Sequence, residues 1–257
     1  MEDSTVQRVP NRAQPRPVPF RPARAPGRYS DLGPPPIRVV EAFATAAVTK
    51  AQTGQAQRMP NDLSVVSTPV RNVRTSLGTV AYRVIGTGPP LLLVTGYGAT
   101  MEAWDRRFVD ALAERYRVVI FDNAGIGRTQ ALPAPLTVDA MANQTSAPIS
   151  ALRLGHANVL GWSMGSIIAQ ALATLHPGQV RRLLLCASWP GNGTAVRPSQ
   201  QAINALNSGN QNQTMATLFP ADQAGARNSY LAALSSYPAT PPVPNAVITA
   251  QATAVEQ

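Results

Sequence analysis

Several residue types are scarce in this 257-residue chain. There is one cysteine, Cys186, so no internal disulfide can form and no cysteine-based zinc cluster is expected. Only two histidines occur, His156 and His176, which limits any metal or acid–base centre that needs imidazole. One lysine, Lys50, stands against 21 arginines. Aromatic residues make up 5% of the chain. No run of about 18 apolar residues is present, so no membrane-spanning helix is expected. The N-terminus has arginines without an apolar stretch behind them, so no secretory signal is read and the expected location is the cytoplasm. Nucleotide-binding loops are absent too: no G-x-x-x-x-G-K-[ST] occurs, and no G-x-G-x-x-G joins a strand to a helix.

Of the net charge of +9, residues 1–60 contribute +5 through eight arginines and Lys50 against four acids. Residues 1–62 are rich in Pro and Arg and are expected to form a largely disordered arm, with at most a weak helix over 37–52. Met59, which precedes the first strand-like pattern, is read as a candidate for the true start. The arm reads either as solvated chain or as a binder of nucleic acid or an anionic surface. Its aromatics are only Phe20, Tyr29 and Phe43, too few for base stacking, so no specific nucleic-acid partner is expected.

From about residue 68 the pattern becomes strand and helix. Residues 68–74 and 79–85 alternate apolar and polar. Leu91-Leu92-Leu93-Val94 and Val118-Val119-Ile120-Phe121 are continuous apolar runs, as in strands covered on both faces. Helical spacing runs over 102–116 and 137–154, the second with Pro148 inside it. A strand over 158–162, a helix over 164–175 and a strand over 181–187 follow. This rhythm predicts an α/β, doubly wound, mostly parallel sheet over 63–189. Residues 190–257 break into short helical stretches near 199–207, 213–219, 225–236 and 245–256, a helical cap segment with no further strand.

One motif carries chemistry. Gly161-Trp162-Ser163-Met164-Gly165 matches G-x-S-x-G, and it lies between the apolar strand Asn158-Val159-Leu160 and the apolar helix Ile167-Ile168-Ala169. A serine on so sharp a turn needs glycines at both two-residue offsets, here Gly161 and Gly165. Its hydroxyl then sits at a helix N-terminus, where the dipole favours negative charge.

With that context the chain resembles the α/β-hydrolase family. Leu92-Leu93-Val94-Thr95-Gly96-Tyr97-Gly98 looks like the family's strand leading into the oxyanion loop, with Thr95 where His is frequent. Phe121-Asp122-Asn123-Ala124-Gly125-Ile126-Gly127-Arg128-Thr129 is similar to the strand-end turn with paired glycines, which makes Asp122 a turn residue rather than a catalytic acid. Leu175-His176-Pro177 through Arg182-Leu183-Leu184-Leu185 looks like the family's next helix end and strand. The resemblance covers roughly residues 68–188. It implies a cofactor-free and metal-free serine hydrolase of esters or similar acyl bonds. Ser163 would be the nucleophile, the backbone N–H groups of Tyr97 and Met164 the oxyanion donors, and the substrate small and apolar.

The triad's other members are not legible. The family order is Ser, then Asp or Glu, then His. After Ser163 the only acids are Asp222 and Glu256 and the only histidine is His176. His156 precedes the strand that Ser163 follows, and His176 closes the helix that starts beside it. Each is therefore on the order of 20 Å away, against about 3 Å for a working base. The chain is expected to be truncated at its C-terminus and inactive or severely impaired. It would then leave the strand over 181–187 as an apolar edge that invites self-association. The alternative functions are a non-catalytic remnant or binding module, and a binder acting through the basic arm.

Overall fold

The computed structural model describes residues 64–189 and 198–256. The arm of residues 1–62 and the basic binding surface expected there lie outside the described residues.

Six strands form one sheet in the order β1-β2-β4-β3-β5-β6. They are β1 (Arg71–Thr75), β2 (Gly78–Ile85), β3 (Pro90–Val94), β4 (Arg117–Phe121), β5 (Ala157–Trp162) and β6 (Val180–Cys186). The turn between β1 and β2 uses Gly78 at φ 110°, so the two strands pair antiparallel, and β2 pairs antiparallel with β4. The other pairings are parallel, Leu92 lying beside Val119 on one side and Val159 on the other. The expected mostly parallel sheet thus has an antiparallel entry, set by tight turns too short for a crossover.

The period of two along each strand splits the core into two layers. Leu92, Val94, Val119, Phe121 and Val159 pack with Met141 and Ile149 of α2 (Val138–Ala151) and with Ile168 and Leu172 of α3 (Met164–Leu175). Leu91, Leu93, Val118, Ile120 and Leu160 face the other way, against Val65, Met101, Trp104, Tyr237 and Val109 of α1 (Arg106–Ala113). The helical pattern over 102–116 is broken in the fold. A single 3-10 turn at Met101–Ala103 is followed by Asp105, whose carboxylate accepts the Arg107 N–H at 2.8 Å and starts α1 afresh. Pro148 falls in the last turn of α2 and is buried; having no N–H, it leaves the carbonyl one turn earlier, at Gln144, without its helical donor.

The second described segment supplies α4 (Gln200–Asn207), α5 (Gln211–Leu218), α6 (Ala224–Leu234) and α7 (Asn245–Glu256), with no strand among its described residues. Among the described residues no helix is long and apolar enough to cross a membrane. Among the described residues the strand expected over 181–187 is an edge: β6 is last in the sheet, with Leu184 45% and Leu185 41% exposed.

Candidate active site

β5 delivers the chain to Ser163, and α3 leaves from it. Ser163 adopts φ 54° and ψ −125°, a conformation L-residues seldom take, which costs on the order of 1–3 kcal/mol and persists only where the surroundings enforce it. The enforcement comes from glycines. A Cβ on Gly165 would overlap the carbonyl oxygens of Val94 and Thr95, and one on Gly161 would overlap the Gly165 carbonyl. The Ser163 N–H is held by the Cys186 carbonyl of β6 at 2.9 Å. The Ser163 carbonyl accepts the Ser166 N–H at 2.8 Å and the Ser166 hydroxyl at 2.6 Å, fixing the first turn of α3.

The loop after β3 lies directly on this turn. A Cβ on Gly96 would meet the Ser163 Cβ at 3.2 Å and the Trp162 carbonyl at 3.3 Å. Met164 opens α3, so its N–H has no partner within the helix. Tyr97 follows Gly96, and among the described residues its N–H donates to nothing. The N–H groups of Met164 and Tyr97, on the two segments that meet at the half-buried serine, thus have no hydrogen-bond partner among the described residues.

Other residues brace the loop, and the sequence alone did not reveal them. The Trp104 indole donates to the Thr95 hydroxyl at 3.1 Å, and the Asn123 amide donates to the Thr95 carbonyl at 3.0 Å. The Tyr97 phenol donates to Asn207 of α4 at 2.8 Å, and the Gly98 N–H donates to Gln251 of α7 at 2.9 Å. Burial first, and then the charge of Glu256, push the Tyr97 phenol above its usual pKa. No local pattern marks such partners; Asn207 and Gln251 are 110 and 153 residues from the loop they hold.

Asp122 closes the turn after β4. One carboxylate oxygen accepts the Met101 N–H at 2.8 Å and the other the Arg128 N–H at 3.3 Å, and a Cβ on Gly127 would overlap the second oxygen. With 2% exposure its pKa rises to about 6, burial outweighing the two hydrogen bonds. Both oxygens are spent on backbone.

Neither histidine joins Ser163. His156 is exposed at the start of β5, and His176 ends α3, its Nε2 lying 2.7 Å from the Asn143 side-chain oxygen. His176 also lines a cleft of about 630 Å³ beside Thr75, Leu77 and Ser150, at the far end of α3 from the serine. Asp222 is exposed in a 3-10 turn before α6. Among the described residues no side chain hydrogen-bonds to the Ser163 hydroxyl.

Comparison with known proteins identifies the fold. The family model described as alpha/beta hydrolase fold matches residues 89–242. The RutD protein of Azorhizobium caulinodans, assigned by name as a carbamate hydrolase, is 34% identical over 108 residues, 42% of this chain and 40% of that protein. A pimeloyl-[acyl-carrier protein] methyl ester esterase of Aeromonas hydrophila is 33% identical over 112 residues, 44% of this chain and 42% of the esterase. Such matches span about two fifths of the length of these relatives. Among solved structures, an alpha/beta hydrolase fold protein from Chitinophaga pinensis shares the fold with a TM-score of 0.63 at 23% identity, over 76% of this chain and 72% of that one. The chain belongs to the α/β-hydrolase fold family.

Proposed function

We propose that Ser163 is the nucleophile of a cofactor-free hydrolase of esters or similar acyl bonds. The N–H groups of Tyr97 and Met164 stabilise the oxyanion, and the 257-residue chain by itself turns over poorly for want of a base. The observation behind this reading is the strained serine between β5 and α3, pressed against Gly96 with unpaired N–H groups on either side. Strain held in place by three separate glycines would be a net cost without a use for the hydroxyl it presents. Such donors bind a tetrahedral oxyanion better than a ground-state carbonyl. A hydroxyl needs an acceptor for its proton to attack at neutral pH, and neither histidine of this chain supplies one. What remains is binding and the oxyanion hole, roughly 10³- to 10⁴-fold over water. The names of the relatives, a methyl ester esterase and a carbamate hydrolase, fit an acyl substrate, and a small apolar one is proposed.

Exogenous imidazole tests this. Hydrolysis of p-nitrophenyl butyrate by the purified chain is expected to be slow and to rise with added imidazole, beyond the rise seen with Ser163→Ala. Fast turnover without imidazole sinks the claim of a missing base. Identical rates in the two proteins at every imidazole concentration sink the nucleophile.

A further inference from the structure

The donor peptide of the oxyanion loop is bracketed by two others. The N–H of Tyr97 belongs to the Gly96–Tyr97 peptide unit. The preceding unit, Thr95–Gly96, is held through its carbonyl by the Asn123 amide at 3.0 Å. The following unit, Tyr97–Gly98, is held through its N–H by the Gln251 side-chain oxygen at 2.9 Å. Peptide units are planar, so pinning the units on both sides leaves the middle one little freedom to rotate. The middle unit is also the one whose N–H stays unpaired.

Gln251 reaches this position from α7, and its placement is specific. It is fully buried, at 0% exposure, and Ile248, one turn earlier, lies 3.9 Å from where a Cβ on Gly98 would sit. Val247 packs on Gly125 at the neighbouring turn, and Ala254 and Val255 join the core layer that includes Tyr97. Gly98 itself has φ 60°, a conformation that leaves its N–H facing the helix. The amide nitrogen of Gln251 has no partner among the described residues. A glutamine placed there only to fill space would be costlier than an apolar residue of the same shape.

We infer that Gln251 is a positioning residue for the oxyanion hole, its side-chain oxygen fixing the Tyr97–Gly98 peptide so that the Tyr97 N–H is aimed at the acyl oxygen. The role rests on the nucleophile reading above. It makes the hole a joint product of the core loop and a helix far along the chain.

Gln251→Met keeps length and bulk and removes both the acceptor and the unpaired donor, so the fold should survive. The readout is phosphonylation by a fluorophosphonate in the presence of imidazole. The Ser163 hydroxyl oxygen displaces fluoride from phosphorus, and its proton passes to the added base. The maximal labelling rate is expected to fall about 10-fold, with half-saturation and melting temperature nearly unchanged; loss of a whole donor costs more. Equal rates in wild type and variant overturn the positioning role alone. No Ser163 labelling in the wild type overturns the nucleophile reading, and this role with it. Should the variant not fold, amide exchange of the wild type decides: the Gly98 N–H is expected to be protected, and exchange at the rate of an open loop overturns the inference.

Discussion

At one end of the sheet, β1 runs for five residues and shows Arg71 and Arg74 to solvent. At the other, β6 runs for seven and shows Leu184, Leu185 and Cys186. Short length and positive charge make the first edge a poor template for another strand. The second is longer and carries its exposed charge, Arg181 and Arg182, only at its start, leaving Leu184, Leu185 and Cys186 without it. The interior differs in the same direction. On the β1 side, Arg83 of β2 is sealed in by Glu102 at 3.2 Å, by the Thr68 carbonyl and by the Tyr237 ring 6.0 Å away, while the Tyr237 hydroxyl donates to the Trp104 carbonyl at 3.2 Å. On the β6 side, no comparable polar lock lies outside β5 among the described residues. The side chemistry of an edge therefore tells which end of the sheet is suited to water and which is suited to cover.

Breaking the closed side should have the largest effect. Arg83→Met leaves Glu102 buried without its partner and is expected to cost about 3–5 kcal/mol in a urea melt. A loss below 1 kcal/mol would show that this half is no better locked than the other. Next is Asp122, whose folded pKa of about 6 lies above its ordinary 3.8. A raised acid binds more protons in the folded state across that window. Its contribution is therefore fully present below the lower value and is lost as pH rises through the upper one. Wild type should lose up to about 3 kcal/mol relative to Asp122→Asn between pH 4 and 7, with both followed by denaturant melts. Parallel curves for the two proteins would remove Asp122 as the cause. The smallest change in stability is expected at the open edge. Leu184→Lys should shift the melt by no more than about 0.5 kcal/mol yet reduce light scattering and the high-mass fraction in size-exclusion chromatography. Unchanged association would mean that β6 is not the sticky surface.

The sequence was most legible where local pattern and tertiary role coincide. Strand β5, the elbow and helix α3 could be placed almost to the residue, because an apolar run, two obligatory glycines and a second apolar run lie side by side in the chain. The four helices after residue 198 were also readable, from their breakers. Helix α1 was read too long because the apolar spacing from Trp104 to Tyr116 continues through Asp105, whose cap restarts the helix. Of the candidate site, Ser163, Tyr97 and Met164 were named from motif and resemblance, whereas the contacts of Asn123, Asn207 and Gln251 with the loop span long separations, and these look like ordinary polar residues until the chain is folded. The arrest of Asp122 by two backbone N–H groups gives a physical basis for reading it as a turn residue.

One hydrogen bond joins the bare edge to the reactive turn: the Cys186 carbonyl at the end of β6 accepts the Ser163 N–H. Neighbouring strands lie about 4.8 Å apart, so a strand resting along the outer side of β6 would be two spacings, about 10 Å, from the strand that delivers Ser163. A shift of the end of β6 is therefore passed to the Ser163 backbone through one hydrogen bond, with no other residue in between.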